Sequence, residues 1–118
     1  MPRAITTEAG RAALAAVRSA ETPARTDLAT AVRYLLQLLT EKAPGNTVEV
    51  RIPPFGAVQV VQGPRHTRGT PPNVVETDAS TWIDLATGAE TWLDAVASGR
   101  VHASGSRADL AALLPLSP

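Results

Sequence analysis

Apolar residues recur every three or four positions along the first part of the chain, the spacing of one face of a helix. Small apolar residues within Thr7–Ala20 predict a first helix with a narrow, closely packing face. A second helix begins near Thr26 and carries a broad apolar stripe, which predicts a core position. The stripe consists of Leu28, Val32, Leu35, Leu36 and Leu39. Helix breakers in Ala43–Asn46 end this second helix.

After Asn46 the period changes to two, which predicts β-strands. Within Val48–Ile52, β-branched residues alternate with Glu49 and Arg51, as in a strand with one face in water. Two prolines interrupt the pattern, and Phe55–Gln62 then predicts a second strand. Its Val58 and Val60 share one face, and Ala57, Gln59 and Val61 share the other. We expect this second strand to be the central one.

Two capped helices follow a short third strand, Val74–Thr77. Asp78 can accept a hydrogen bond from the backbone N–H three positions on, which begins one helix, and Gly88 ends it. Thr91 begins the next helix with a Ser/Thr-x-x-acid box. The residues expected to face the core are Trp82, Leu85 and Ala86 from the first of these helices and Trp92, Leu93, Val96 and Ala97 from the second.

A last strand and a last helix complete the predicted elements. Arg100–Ser104 alternates as a strand, with Val101 and Ala103 on one side. A second capping box at Ser106 predicts a final helix over Arg107–Leu114. Helices and strands in this order, without a repeat or a linker of domain-separating length, predict a single α+β domain over residues 1–118.

Composition and charge then exclude several classes of function. The 11 basic side chains balance the 11 acidic ones, so the long-range field that attracts nucleic acid is missing, and we expect no nucleic acid partner. Cysteine is absent, which excludes disulfides and thiolate chemistry and is typical of a reducing cytosol. Because neither a secretory leader nor an apolar run of about 18 residues is present, we expect a cytoplasmic protein without integral membrane association.

The densest local chemistry lies in the loop Gly63–Asn73. Arg65, His66 and Arg68 offer several hydrogen-bond donors within four positions, between glycines and prolines. The loop is therefore either a site for an anionic headgroup or a solvated connection. Glu76, on the strand that follows, could pair with one of the arginines. We favour this pairing, in which the cluster is an internal clamp.

Two runs of residues carry a resemblance to a known family. The run Asp78-x-x-Thr-Trp-x-x-Leu-Ala-Thr-Gly88, followed by Ala95-Val-Ala-Ser-Gly-Arg-Val-x-Ala-Ser-Gly105, resembles the C-terminal half of sterol carrier protein domains. The run Gly-Pro-Arg-His-Thr-Arg-Gly-Thr-Pro-Pro-Asn, together with Arg51-Ile-Pro-Pro54 upstream, is similar to the actinobacterial branch, the bacterial sterol-carrier-like orthologue family. The likeness covers about Thr26 to Leu116 and leaves the N-terminal helix, within residues 1–22, outside it.

This resemblance implies a mixed, twisted sheet of four or five strands covered by helices, with an apolar tunnel between the two layers. It implies a non-catalytic carrier of a small apolar ligand: a fatty acyl chain, an acyl thioester or a sterol-like lipid. The final helix would be a movable wall of the tunnel, or alternatively a core helix or the seam of a homodimer. The residues expected to line the tunnel are Leu35, Leu39, Val60, Trp82, Leu85, Trp92 and Leu113.

An enzyme and an accessory protein-interaction module are the alternatives. The only histidines, His66 and His102, have no partners at the spacing of a zinc site. A nucleophilic serine elbow, a phosphate-binding loop and a dinucleotide fingerprint are also missing from the sequence. We therefore expect no catalysis, no metal and no other cofactor. In the accessory module, the loop Gly63–Asn73 would contact another protein and no lipid would be bound.

Overall fold

The structure is a computed structural model that describes residues 4–63 and 72–118. The described part contains four α-helices: α1 (Thr7–Ser19), α2 (Arg25–Lys42), α3 (Ala79–Thr87) and α4 (Trp92–Ala97). Its four strands are β1 (Val48–Ile52), β2 (Gly56–Val60), β3 (Val74–Thr77) and β4 (Val101–Ser104), and a short 3-10 turn covers Ala111–Leu113. The predicted helices up to residue 97 and all predicted strands are therefore present, with ends shifted by a few residues.

The four strands form one mixed sheet in the order β2-β1-β3-β4. Strand β1 pairs antiparallel with β2 and parallel with β3, and β4 pairs antiparallel with β3. The prediction that β2 is the central strand is wrong, because β2 lies at an edge. Strand β2 pairs with one side of β1, and β3 pairs with the other side. Strand β2 also ends before Gln62, since Val61 adopts a left-handed φ of 71°.

Helix α2 packs against the inner face of the sheet and forms the centre of the core. Its predicted stripe is buried except at the half-buried Leu28, and Val32, Leu35 and Leu39 have no exposed surface. Helix α3 adds Trp82, which is 1% exposed and whose indole N–H donates to the carbonyl of Val32 at 3.3 Å. The inner face of the sheet contributes Val48, Val50, Ile52, Val60 and Val75. The predicted core positions are thus confirmed for α3 and, except at Leu28, for α2.

Helix α1 packs on α2 through a close contact at Gly10. A Cβ atom at this position would overlap the ring of Tyr34, so only glycine lets the two helices approach this closely. The segment before α1 is fixed by a reciprocal pair: the backbone N–H of Ile5 donates to Oε1 of Gln37 at 2.8 Å, and Nε2 of Gln37 donates to the carbonyl of Ile5 at 2.9 Å. Helix α1 is therefore attached at its start and its middle.

The prediction that helix α4 turns Leu93, Val96 and Ala97 toward the core is wrong. Thr91 caps it as expected and accepts from the backbone N–H of Asp94 at 3.2 Å. Only Ala95 is buried, however, while Leu93 is 76% exposed and the other two residues predicted to face inward, Val96 and Ala97, are exposed as well. A helix of six residues has room for one buried face, and Ala95 with the half-buried Trp92 occupies it.

The predicted final helix over Arg107–Leu114 is wrong. Apart from the 3-10 turn the chain there is irregular, with short local turns, and it is held by hydrogen bonds to other parts of the protein. The N–H of Arg107 donates to Oδ1 of Asn73 at 2.9 Å, and the N–H of Leu116 donates to the carbonyl of Ala86 at 2.8 Å. Two of the apolar residues that suggested a helix, Leu110 and Leu116, are instead buried in the core.

Candidate functional site

An open groove of about 910 Å³ lies between the end of α1, the start of α2, the β1–β2 turn and the outer side of α3. Its size falls within the range of small-molecule sites in proteins, about 300–1,000 Å³. The apolar residues that line it come from four separate segments of the chain. They are Val17, Ala20, Pro23, Leu28, Pro53, Phe55, Ala79, Ile83 and Ala89.

The break between α1 and α2 explains why a groove exists here. Residues 20–24 are not helical, and Pro23 prevents α1 from continuing directly into α2. Val17, near the end of α1, and Leu28, near the start of α2, lie on either side of this break and both line the groove. Both side chains are only half-buried although they pack against the core.

The β1–β2 turn supplies the opposite wall through Phe55. The guanidinium of Arg25 lies 5.4 Å from the centre of its ring, within the range of a cation–π contact. Nε of Arg33 donates to the carbonyl of Phe55 at 2.8 Å. Two arginines from α2 thus hold the ring and its backbone beside the groove, and Phe55 keeps a partly exposed apolar face.

The rim of the groove is polar and mostly acidic. Glu21, Asp78 and Asp84 line it, with Arg18 as the only cation among the described lining residues. Asp78 also caps α3, accepting from the backbone N–H of Thr81 at 2.8 Å and from its hydroxyl at 3.0 Å. The rim carboxylate at the start of α3 is therefore held in place by the fold.

The residues predicted to line a tunnel lie elsewhere. Leu35, Leu39 and Val60 have no exposed surface, and Trp82 and Leu85 are 1% exposed. These five residues come together as close-packed core.

The other two predicted tunnel residues, Trp92 and Leu113, are partly buried against this core. Leu85 and Trp92 meet at a smaller hollow of about 310 Å³ beside Leu114 and Pro115. None of the seven predicted tunnel residues is among the described residues that line the larger groove. The tunnel assignment stays a prediction.

The lining residues that sequence reasoning missed carried one usable signal. Val17 and Leu28 are the large apolar residues nearest to the break at Pro23, and Phe55 is the single phenylalanine of the chain, directly after two prolines. Large apolar residues beside breakers are candidates for half-exposed positions, because the covering layer is interrupted there. Ile83 carried no such signal, since it lies within an apolar helix.

Glu76 lies on the face of the sheet opposite the helices and is not among the described residues that line the groove. In the strand register it stands between Arg51 of β1 and His102 of β4. Nε of Arg51 donates to Oε1 of Glu49 at 3.0 Å, and this hydrogen bond, with the charges of Glu49 and then Glu76, raises the pKa of Arg51.

The predicted partners of Glu76, Arg65 and Arg68, lie with His66 outside the described residues. Both readings of their loop therefore stay predictions: the internal clamp and the anionic headgroup site. Within the described residues, Glu76 already has a cation in the neighbouring strand, Arg51. A clamp with a loop arginine would add a second cation to the same carboxylate.

Comparison with known families identifies the chain. Residues 24–116 match the family model described as bacterial SCP ortholog. The chain belongs to this family. Membership confirms the predicted sterol-carrier-like relationship and, together with the mixed sheet and its helices, the α+β fold. A search of curated proteins found no match.

Sterol-carrier-like families are in general lipid-binding or lipid-transfer proteins, and typically carriers and not enzymes. The match begins at residue 24, so α1 precedes the family region although it forms one wall of the groove. Among residues 4–63 and 72–118, acidic and histidine side chains do not gather in a group that could hold a metal ion. In the same part of the chain, every helix is too short or too polar to cross a membrane.

Proposed function

We propose that the protein binds an elongated apolar ligand without covalent chemistry, in the groove between α1, α3 and the β1–β2 turn, and carries it without catalysis. A fatty chain or a sterol-like body would lie along the apolar floor, with its polar end at the rim. The observation that carries the proposal is the floor itself: Val17, Leu28 and Phe55 leave apolar surface half-exposed in a concave site. Such surface is expected to be covered by a ligand or a partner.

Desolvation is the driving force for this binding. Each methylene removed from water contributes about 0.8 kcal/mol, so ten methylenes contribute about 8 kcal/mol when fully enclosed and roughly half as much when one side stays in water. These values bracket dissociation constants from about micromolar to millimolar before ordering costs. A binding assay must therefore extend to high ligand concentration.

Binding in the groove needs no rearrangement of the core. A tunnel along Leu35, Val60 and Trp82 would have to separate side chains that are packed without exposed surface, at interior density. The groove offers comparable apolar contact without this cost. It is therefore the position that we favour, and the tunnel remains the second position for the same kind of ligand.

Displacement of the uncharged fluorophore phenylnaphthylamine by decanol tests the proposal. The variant Ala79→Leu places a larger side chain in the groove, whereas Ala9→Leu places the same side chain on an exposed position of α1 away from it. We expect saturable binding by the natural protein and by Ala9→Leu, and a loss of at least about tenfold in affinity for Ala79→Leu with the fold retained. Absence of saturable binding to the folded natural protein, or equal losses in both variants, would overturn the proposal.

A further inference from the structure

We propose that the groove selects its ligand by the charge of the polar end, favouring a cationic amine over an uncharged alcohol and both over a carboxylate or a phosphate. This inference rests on the proposed function and narrows the class of ligand. It starts from the uneven charge of the rim, where carboxylates outnumber guanidinium groups three to one among the described lining residues. These charges stand beside an apolar floor that fixes where the polar end of a ligand must be.

The carboxylates come from two separate parts of the lining. Glu21 lies in the connection after α1, Asp78 at the start of α3, and Asp84 further along the same helix, six residues on. The acidic character of the lining therefore does not depend on a single residue. The polar end of the ligand is the part that cannot enter the apolar floor and must stay at this rim.

Within the described part of the chain, the lining holds too few cations to balance these carboxylates. Arg18 is exposed at the end of α1 and is the one guanidinium among the described lining residues. Arg25 is already engaged over the ring of Phe55 and lies outside the lining. The N-terminus of α3 would attract an anion, but Asp78 already occupies it as the capping group. An anionic polar end would therefore meet repulsion where a helix N-terminus often provides attraction.

The expected size of the selection follows from exposed charge pairs in water. One such pair changes affinity by up to about fivefold, and several carboxylates acting together increase the ratio. We expect decylamine to displace the fluorophore at least about fivefold more tightly than decanol, and decanoate more weakly than decanol. The ratio between the amine and the acid should shrink as salt is raised from about 0.01 M to 1 M, because salt screens exposed charges.

Neutralising the rim tests the cause. In the triple variant Glu21→Gln, Asp78→Asn and Asp84→Asn, the cap of α3 is retained, because asparagine caps a helix as well as aspartate. The matched control is the triple variant Glu8→Gln, Glu41→Gln and Asp94→Asn, which changes the net charge equally at positions outside the groove. We expect the amine-to-acid ratio to fall toward one in the rim variant and to persist in the control.

The outcomes separate this inference from the proposed function. Binding of amine, alcohol and acid with equal affinity, or tighter binding of the acid, would overturn the selection by charge and leave the groove as an apolar site. An equal loss of selectivity in both triple variants would also overturn it, since net charge and not the rim would then be the cause. Failure of all three ligands to displace the fluorophore would overturn the proposed function and this inference with it.

Discussion

Leu35 and Leu28 lie on the same stripe of α2, seven residues apart, yet they have opposite surroundings. Leu35 has no exposed surface, because the sheet lies on one side of it and α3 on the other. Leu28 is half-buried and faces the groove, because α1 has ended and the β1–β2 turn lies across open space. A hydrophobic stripe therefore predicts which face of a helix turns inward. It does not predict how far along the helix that face is covered by other elements.

The same contrast holds for the whole molecule. Five of the seven residues predicted to line the tunnel are buried in the core, and the other two, Trp92 and Leu113, are partly buried. The groove uses smaller and more scattered side chains that remain partly in contact with water. Stability should therefore depend on the first set, and binding should depend on the second.

The largest effect is expected for the matched pair Leu35→Ala and Leu28→Ala. Truncating a fully buried leucine costs about 2–5 kcal/mol of unfolding free energy, since it loses transfer energy and leaves a cavity. At Leu28 the cost should be about 1 kcal/mol, because the side chain is already half in water. Urea unfolding measures both, and fluorophore displacement should weaken only for the variant at Leu28. Equal losses of stability would show that the two leucines do not differ as described.

Gly10→Ala should have the next largest effect, because it acts on the wall of the groove. At an unobstructed helical position this change normally stabilises by about 0.4–1 kcal/mol. Here the added methyl group overlaps the ring of Tyr34, so we expect a loss of about 1–3 kcal/mol and weaker binding in the groove as α1 moves away.

A double-mutant cycle with Tyr34→Ala identifies the cause of this loss. Once the ring is removed, Gly10→Ala should no longer destabilise, and the two changes should show coupling in thermal unfolding. Additive losses would mean that the contact between Gly10 and Tyr34 does not limit the packing of α1.

A smaller effect is expected at the two helix caps, one at the groove and one away from it. Asp78→Ala and Thr91→Ala should each cost about 1 kcal/mol of stability, because each removes the side chain that accepts from the first turn of a helix. Only Asp78→Ala should alter binding of decylamine, since Thr91 does not line the groove. A change in amine binding of the same size in both variants would point to helix fraying as the cause.

Much of the secondary structure could be predicted because its signals are local. Asp78, Thr91 and Gly88 act within a few residues, and the alternation in β1 is visible in five positions. The errors arose where distant parts of the chain decide. The helix predicted from Ser106 does not form, and distant residues hold this segment instead: Asn73, 34 residues away, accepts from the N–H of Arg107, and Nζ of Lys42 donates to the carbonyl of Leu113 at 2.7 Å.

The candidate site was harder to predict than the fold, for a related reason. The groove is the space left where α1, α2, the β1–β2 turn and α3 fail to meet, and such a space has no residue pattern of its own. The resemblance over residues 26–116 pointed to a lipid-binding class, and the family match supports this class. It could not point to Val17, which lies before the matched region. The tunnel that the resemblance implies directed the prediction to large apolar residues between sheet and helices.

The smallest expected effect distinguishes the groove from the predicted tunnel. Trp82 is 1% exposed with its indole N–H bonded to the carbonyl of Val32, so its emission should be blue-shifted, and Trp92 should contribute a component nearer to that of exposed indole. Neither ring lines the groove. Decanol does not absorb at the wavelengths used for tryptophan. It should therefore displace the fluorophore and leave tryptophan emission unchanged.

The variant Trp92→Phe isolates Trp82 for this measurement. A saturable shift of its emission at the concentrations that displace the fluorophore would place the ligand beside Trp82, where the tunnel was predicted, because only a ligand that enters the core could change the surroundings of a ring buried this deeply.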